Sequence, residues 1–307
     1  MNLYWYGGSG NWSDYINHWS LSSGNSPVNP TSAIPTFEDD VFIDENSGFD
    51  SGGTITTDIY GIECHNFTST SGHNYTIIYD GAGDLNIYGS AIFESGTTFD
   101  PITGAYTVFR STEPWATINI NGATIFHVEF DGVDGSWVLE DDLHVIDEFS
   151  GINGTFFANN RNITASRFHF TASLGLHPVI VMGSGIWEAT GEDSNEWFID
   201  QYDDQIVTII PGTSTIKMNL TGQYNQSFYF DDDTGFETGK TYYDIWLTGN
   251  GTGHHNIYGS NTFHTFRIDT PPRKVLFQEG KTTIVLGWRV SGTPGNLITL
   301  NTIEMGG

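Results

Sequence analysis

The sequence predicts an all-β chain folded as a single-stranded, right-handed β-solenoid, parallel β-helix-like, with an aromatic cap at its amino terminus. Three observations carry this reading. The stretch Asn86-Ile87-Tyr88-Gly89-Ser90 returns as Asn256-Ile257-Tyr258-Gly259-Ser260, each with a phenylalanine close behind, Phe93 and Phe263. Short β-type runs punctuated by glycine fill the chain from residue 53 to 303, and no apolar spacing of three and four persists long enough for a helix. Self-similarity of this kind means one small unit stacked on copies of itself, each burying a face that it could not bury alone. Repeated β-sandwich units are the alternative that the same punctuation allows.

Residues 1–52 read as the cap and a loop. Trp5, Trp12 and Trp19 recur at seven-residue spacing, but Gly7, Gly8 and Gly10 disfavour a helix there, so a compact aromatic cluster is expected. A first coil would otherwise leave an open strand edge. A Ser/Asn/Pro loop over 22–35 then leads into the alternating strand Phe37–Asp44. Residues 53–307 read as the solenoid repeats. Tyr75–Tyr79 precedes Asp80-Gly81, Thr117–Ile120 precedes Asn121-Gly122, and Val128–Phe130 precedes Asp131-Gly132 with Ser136–Leu139 beyond. Gln205–Ile210 precedes Pro211-Gly212 in the same way. Such pairs supply the positive φ of tight turns. Gly96–Phe99 and Gly212–Ile216 read as equivalent corners, as do Gly151–Phe156 and Gly259–Phe263. Coils of roughly 20 residues would number about twelve.

Composition narrows the function classes. The chain has 37 acidic and 10 basic residues, a net charge of −27. A field of that sign repels phosphate backbones and anionic lipid, which argues against nucleic-acid and membrane-surface partners. No stretch approaches the roughly 20 apolar residues of a membrane helix. Cys64 is the one cysteine, so no internal disulfide forms, and in the run Ile62–Phe67 it reads as a small core residue rather than a nucleophile. Taken as the native start, Met1–Tyr6 lacks the basic and apolar regions of a signal peptide, although the composition is that of a surface protein. Assembly into a virus particle released by lysis reconciles the two.

Four segments together resemble a known family. They are Tyr4–Asp14, Phe37–Asp44, Gly249–Gly253 leading to Tyr258–Phe263, and Val290–Leu300. They are similar to Gly/Thr-rich β-helical repeat proteins of tailed bacteriophages, prophages and environmental bacteria. The resemblance spans most of the chain and implies a virion or cell-surface structural role, with no catalytic motif to carry over. Such proteins usually continue past the Ser291–Leu297 run. An uncapped carboxy-terminal edge is therefore expected here, with truncation or a docked partner as its two explanations.

Candidate chemistry is sparse. Asp231-Asp232-Asp233 with Glu237 is the sharpest acidic cluster, yet its spacing matches neither an EF-hand nor a calcium repeat, so a solvated turn is the expectation. Glu140-Asp141-Asp142 and Asp203-Asp204 read as loops beside strands. His254-His255 with His264 lacks metal-site spacing. Dozens of carboxylate pairs are conceivable and none stands out as a glycosidase pair. Arg273-Lys274 is the only adjacent basic pair, which argues against a depolymerase of anionic polysaccharide. Trp115, Trp187, Trp197, Trp246 and Trp288 exceed what a narrow coil interior would easily hold. They are expected to fill corners and seams, with sugar stacking as the other use of such rings.

The expected function is a non-enzymatic structural component of a bacteriophage particle, a fibre, appendage or surface protein, with adhesion to host surface or glycan as an added role. Its partners would be other virion proteins, copies of itself in a homotrimer, and a host glycan. No catalytic residue, cofactor or metal is assigned. A tailspike-type polysaccharide depolymerase and a bacterial surface adhesin are the alternatives.

Overall fold

Period-two sequence patterning becomes period-two burial. Tyr75–Tyr79 alternates buried and half-buried residues without a break, as do Thr54–Thr57, Ala116–Asn119 and Arg167–Ala172. The β-branched and aromatic side chains at the buried positions suit a pleated surface with one face inward. The computed structural model describes residues 1–24, 32–50, 52–80, 83–101, 104–173, 175–191, 195–202, 205–232 and 239–303. The chain is a β-solenoid of about 11 turns with parallel strands, 53% strand and 1% helix. Parallel pairing rules out hairpin-linked sandwiches, because successive strands of a ladder are joined by a whole coil rather than a tight turn.

Two compact units divide the chain, Met1–Ile146 and Asp147–Gly307. Three ladders run through the first unit. One joins Asn2–Trp5, Asp40–Ile43, Phe67–Ser69, Ala91–Ile92 and Ala116–Asn119. A second joins Gly10–Asn11, Thr54–Thr57, Tyr75–Tyr79, Thr97–Pro101, Thr124–Ile125 and Leu143–Val145. The third joins Ile62–Cys64, Leu85–Ile87 and Thr107–Phe109. Ladder strands therefore begin at Asn2, inside the segment assigned to the cap.

That segment also holds the expected aromatic cluster. Trp5, Trp12 and Trp19 are at most 1% exposed, and Trp19 meets Trp5 and Trp12 edge-on at 5.0 and 4.8 Å. One helical turn, Tyr15–His18, capped by Asp14, delivers the His18 ring flat against Trp5. A Cβ at Gly10 would lie 2.0 Å from His18, so the packing demands glycine there.

Asp131-Gly132 is not a turn. Val128–Leu139 is one strand whose start pairs with Thr107–Phe109 and whose end pairs with Ala116–Ile118, so it bends to serve two ladders. Cβ atoms at Gly132 and Gly135 would lie 2.0 and 1.7 Å from the Ser111 carbonyl oxygen. Glycine is needed for close backbone approach, not for a reversal. Asn121-Gly122 does make a turn, with φ of 46° and 77°. Of Gln205–Ile210 only Thr208–Ile210 is strand.

In the second unit one ladder joins the end of Glu148–Phe157 to Val179–Val181 and Thr208–Ile210, its last strand among the described residues. The other two continue. One runs Ile163–Ala165, Ile186–Ala189, Thr215–Asn219, Lys240–Thr248, Asn261–Ile268 and Thr283–Val290. The other runs from the start of Glu148–Phe157 through Arg167–Ala172, Asn195–Gln201, Gln226–Asp232, His255–Ile257, Arg273–Gln278 and Ile298–Ile303. Three-sided coils thus give way to two-sided coils built from longer strands.

Register stacks like on like. Ile163, Trp187, Ile216, Ile245, Phe266 and Trp288 form one inward column, at separations of 24, 29, 29, 21 and 22 residues. Coils longer than 20 residues explain why about 11 turns are found where twelve were expected. Trp187 and Trp197 are fully buried, which corrects the view that the interior is too narrow for them: three-sided coils enclose room for both, edge-on at 6.2 Å. Gly151–Phe156 lies within Glu148–Phe157, while Gly259–Phe263 enters Asn261–Ile268, so these two are different corners. The repeated Asn-Ile-Tyr-Gly-Ser motif does occupy matching slots: Ile87 and Ile257 are buried, and Asn86 and Asn256 are each 8% exposed. Trp187→Ala is expected to destabilise the chain by about 3–5 kcal/mol. Urea titration should show this, and should place Trp115→Ala, at a side chain 63% exposed, within about 0.5 kcal/mol of the wild type.

Candidate functional site

The two-sided end of the second unit concentrates the features that solenoid packing alone does not require. Six of the ten lysines and arginines fall in residues 239–303, with three acidic residues, in a chain that carries −27. Four observations define the region: a surface cleft, a buried histidine, an outward column of charged and aromatic side chains, and an unfilled last coil.

The cleft, about 570 Å³, is bounded by Gly249–Gly253, Thr270–Lys274, Leu297 and Thr299. Its floor is set by backbone packing. Cβ atoms at Gly249, Gly251 and Gly253 would lie 1.9, 2.4 and 2.0 Å from the carbonyl oxygens of Leu220, Gly222 and Tyr224, so this corner rests directly on the corner of the coil before it. Arg273, 3% exposed, donates to the carbonyls of Gly249 and Gly251 and to Thr270 Oγ1. Burial lowers its pKa. The guanidinium is spent on the loop, which makes the cleft a consequence of how the corner is held rather than an anion site.

His255 is fully buried between Gln226 and Val275 in the register. Its ring lies by the Met218 carbonyl, and neither nitrogen makes a well-formed hydrogen bond. Burial first, then the Arg273 charge, depress its pKa to about 3. His254 is also lowered, by burial and then by Lys274. His264 sits on Asn261–Ile268, stacked on Tyr243 at 4.3 Å and 3.4 Å from Asp244. The three histidines therefore face different surroundings and form no ligand set. Among the described residues no group of three or more His, Cys, Asp and Glu could hold a metal.

Register also builds an outward column: Glu188, Lys217, Trp246, Arg267 and Arg289 occupy one row across five strands. Lys217 Nζ is 2.9 Å from Glu188 Oε1 and 5.1 Å from the Trp246 ring centroid. Arg267 Cζ lies 4.0 Å from that centroid, and Arg267 donates to Asp269 at 2.6 Å. Trp246 Nε1–H donates to Asp269 Oδ1 at 2.9 Å. Cation–π contact and ion pairing thus hold each member up to Arg267. Arg289 ends the row with no ion pair or hydrogen bond among the described residues.

Inward columns become exposed on Thr283–Val290 and Ile298–Ile303. Phe266 and Ile268 are fully buried, whereas Trp288 and Val290 directly beyond them are 49% and 37% exposed. Val275 is fully buried and its neighbour Leu300 is 47% exposed. Thr283–Val290 pairs on one side, with Asn261–Ile268, and Ile298–Ile303 on one side, with Arg273–Gln278.

Elsewhere the acidic side chains serve the fold. Asp141 Oδ1 accepts the Ile120 N–H at 2.9 Å. Burial raises the pKa of Glu148, but the His169 hydrogen bond and Arg167 charge outweigh it and hold the carboxyl below its ordinary range. Burial likewise raises Asp269, and hydrogen bonds from Trp246 and Arg267 lower it further than burial lifts it. Asp233, Glu237, Asp203 and Asp204 lie outside the described residues. Cys64 is fully buried, and burial pushes its thiol far up, as expected for a core residue. Outward on the Arg167–Ala172 ladder, His169, Phe198, Tyr229 and Tyr258 meet in sequence as tilted ring pairs at 4.9, 5.3 and 4.8 Å.

Sequence reading missed the column, whose members stand 29, 29, 21 and 22 residues apart with no fixed period. The local excess of basic residues was the signal available. Compared with family profiles, curated proteins and solved structures, the chain matches none.

Two outcomes are expected. Gly249→Ala, at φ of +102° against the Leu220 carbonyl, should lower stability by about 1–3 kcal/mol in thermal unfolding. His255 is neutral when folded and binds a proton near pH 6.5 when unfolded, so its contribution is complete above that pH and is lost as pH falls toward 3. The melting temperature should therefore drop more between pH 7.5 and 4.5 in the wild type than in His255→Leu.

Proposed function

We propose that the chain is a non-enzymatic structural component of a bacteriophage particle, a fibre, appendage or surface protein. One observation carries this reading: the coils stack in parallel register, so that Ile163, Trp187, Ile216, Ile245 and Phe266 form one buried column, the packing of a repetitive structural element. The resemblance to phage β-helical repeat proteins supports the same role.

Glu148 and Asp269 support the non-enzymatic part. Both are held ionised, Glu148 by the His169 hydrogen bond and Arg167 and Asp269 by hydrogen bonds from Trp246 and Arg267, so neither carries the proton that a general acid brings to a glycosidic bond. Host-surface contact would fall on the row His169, Phe198, Tyr229 and Tyr258, a run of four outward rings. Antibody-labelled electron microscopy of purified particles is the test. Label at a repeated position on the capsid or tail is the expected result, and particles without label would overturn the reading.

A further inference from the structure

Glu148, His169 and Thr171 form a hydrogen-bonded line across two neighbouring strands of the second unit. Register sets Glu148 beside Arg167, and His169 and Thr171 stand two residues apart on the same outward face of Arg167–Ala172. Glu148 Oε1 lies 3.3 Å from His169 Nδ1, and His169 Nε2 lies 2.8 Å from Thr171 Oγ1. The second Glu148 oxygen accepts from Arg167. Glu148 is 4% exposed, whereas His169 and Thr171 are half-buried and open to solvent.

The order of these groups fixes the protons. Glu148 is ionised, and an ionised carboxylate only accepts. In the neutral ring, Nδ1 of His169 therefore carries the hydrogen and donates it to Glu148. Nε2 keeps its lone pair and accepts the hydrogen of the Thr171 hydroxyl. His264 shows the contrast: Asp244 and Thr265 both approach its Nδ1, at 3.4 and 3.2 Å, so carboxylate and hydroxyl share one nitrogen and no relay forms.

We propose that Thr171 is a covalent modification site, a hydroxyl nucleophile with His169 as its base, that accepts an acyl group from a neutral activated ester. Glu148 is the positioning residue, which holds the ring in the required tautomer. A nucleophile, a base and an orienting group in hydrogen-bond sequence are what make a hydroxyl reactive. Thr171 Oγ1 attacks the ester carbonyl carbon while its proton passes to His169 Nε2. The bond from that carbon to the leaving alcohol oxygen then breaks, and the alcohol departs with the proton from Nε2. The product is an acyl ester of Thr171, and the ring returns to its starting state.

The fold prepares this line before any donor arrives. Arg167–Ala172 is paired with Glu148–Phe157 on one side and Asn195–Gln201 on the other, and the Phe198 ring packs on His169 at 4.9 Å. Charge selects the donor. Asp200 neighbours Thr171 in the register, and the chain carries −27, so an anionic ester is repelled where a neutral one is not. The step stands apart from the structural role proposed above, since it needs only the purified chain.

The test treats the full chain with p-nitrophenyl acetate, a neutral activated ester. Intact mass counts the acetyl groups, peptide mapping places them, and release of p-nitrophenolate gives the rate. One acetyl group on Thr171 is expected. Thr171→Val should abolish that label and Thr171→Ser should keep it. His169→Gln should slow labelling about hundredfold, and Glu148→Gln by a similar factor, with part of the rate recovered in Glu148→Asp. Melting temperatures of the variants separate lost chemistry from lost fold.

Acetyl groups confined to lysines, the amino terminus or His169 would overturn the proposal. So would a Thr171 label that forms as fast in a folded His169→Gln chain. Repeated turnover that disappears in Thr171→Val would uphold the nucleophile and overturn the non-enzymatic role. Labelling of Thr171 in a chain absent from phage particles would remove the structural role and leave this site standing.

Discussion

Parallel register is the constraint on which everything else depends. Once one coil lies on the next with residues matched, every inward position becomes part of a column and every outward position part of a row. Trp197 lies parallel to Phe228 at 5.8 Å, Phe228 meets Phe263 edge-on at 5.5 Å, and Phe263 meets Phe266 at 5.6 Å. Each contact is a modest aromatic gain added to the burial of large apolar surface. Because each coil touches only its neighbours, stability is a sum of such local terms. The ends are then the places where a term is missing. At the amino-terminal strand the tryptophan cluster and the antiparallel strand Trp19–Ser20 supply one; at Trp288 nothing among the described residues does.

Polar groups follow the same geometry. Glu94 takes hydrogen bonds from Ser69, Ser71 and Gly72, on the coil before its own. Arg110 reaches Asn86 on one side and Asp131 on the other, each at 2.6 Å. Such pairs span one coil step, so they report register as faithfully as the core does. Surface pairs of this type add little energy singly. Their value lies in specifying which coil sits over which, since a slip of one residue would turn every inward side chain outward.

Much of the fold was legible because the period of a strand is short. Tyr75–Tyr79 and Ala116–Asn119 alternate over four or five residues, and this pattern survives whatever the coil length. Coil boundaries were harder to read, since glycine has two uses that look alike in sequence. Gly122 reverses the chain, whereas Gly132 and Gly135 let two backbones touch inside a continuous strand, and an Asp-Gly pair announces neither. The outward row was illegible for a different reason. Its members meet only through the register, and unequal coils scatter them along the chain. Buried Trp187 and Trp197 were misjudged because interior width depends on how many ladders close a coil, a number that no local pattern encodes.

Unequal coil length has a wider consequence. Coils of 21 to 29 residues feed the same inward column from Trp187 to Trp288 without disturbing it, so the length of a corner is free of the core's demands. Part of the extra length in the coil from Trp187 to Ile216 is a third strand, Thr208–Ile210, and the rest of what is described there includes the corners between strands. Insertions and deletions there would leave the register intact, and a lineage could remodel the surface of this protein loop by loop while its interior stayed the same.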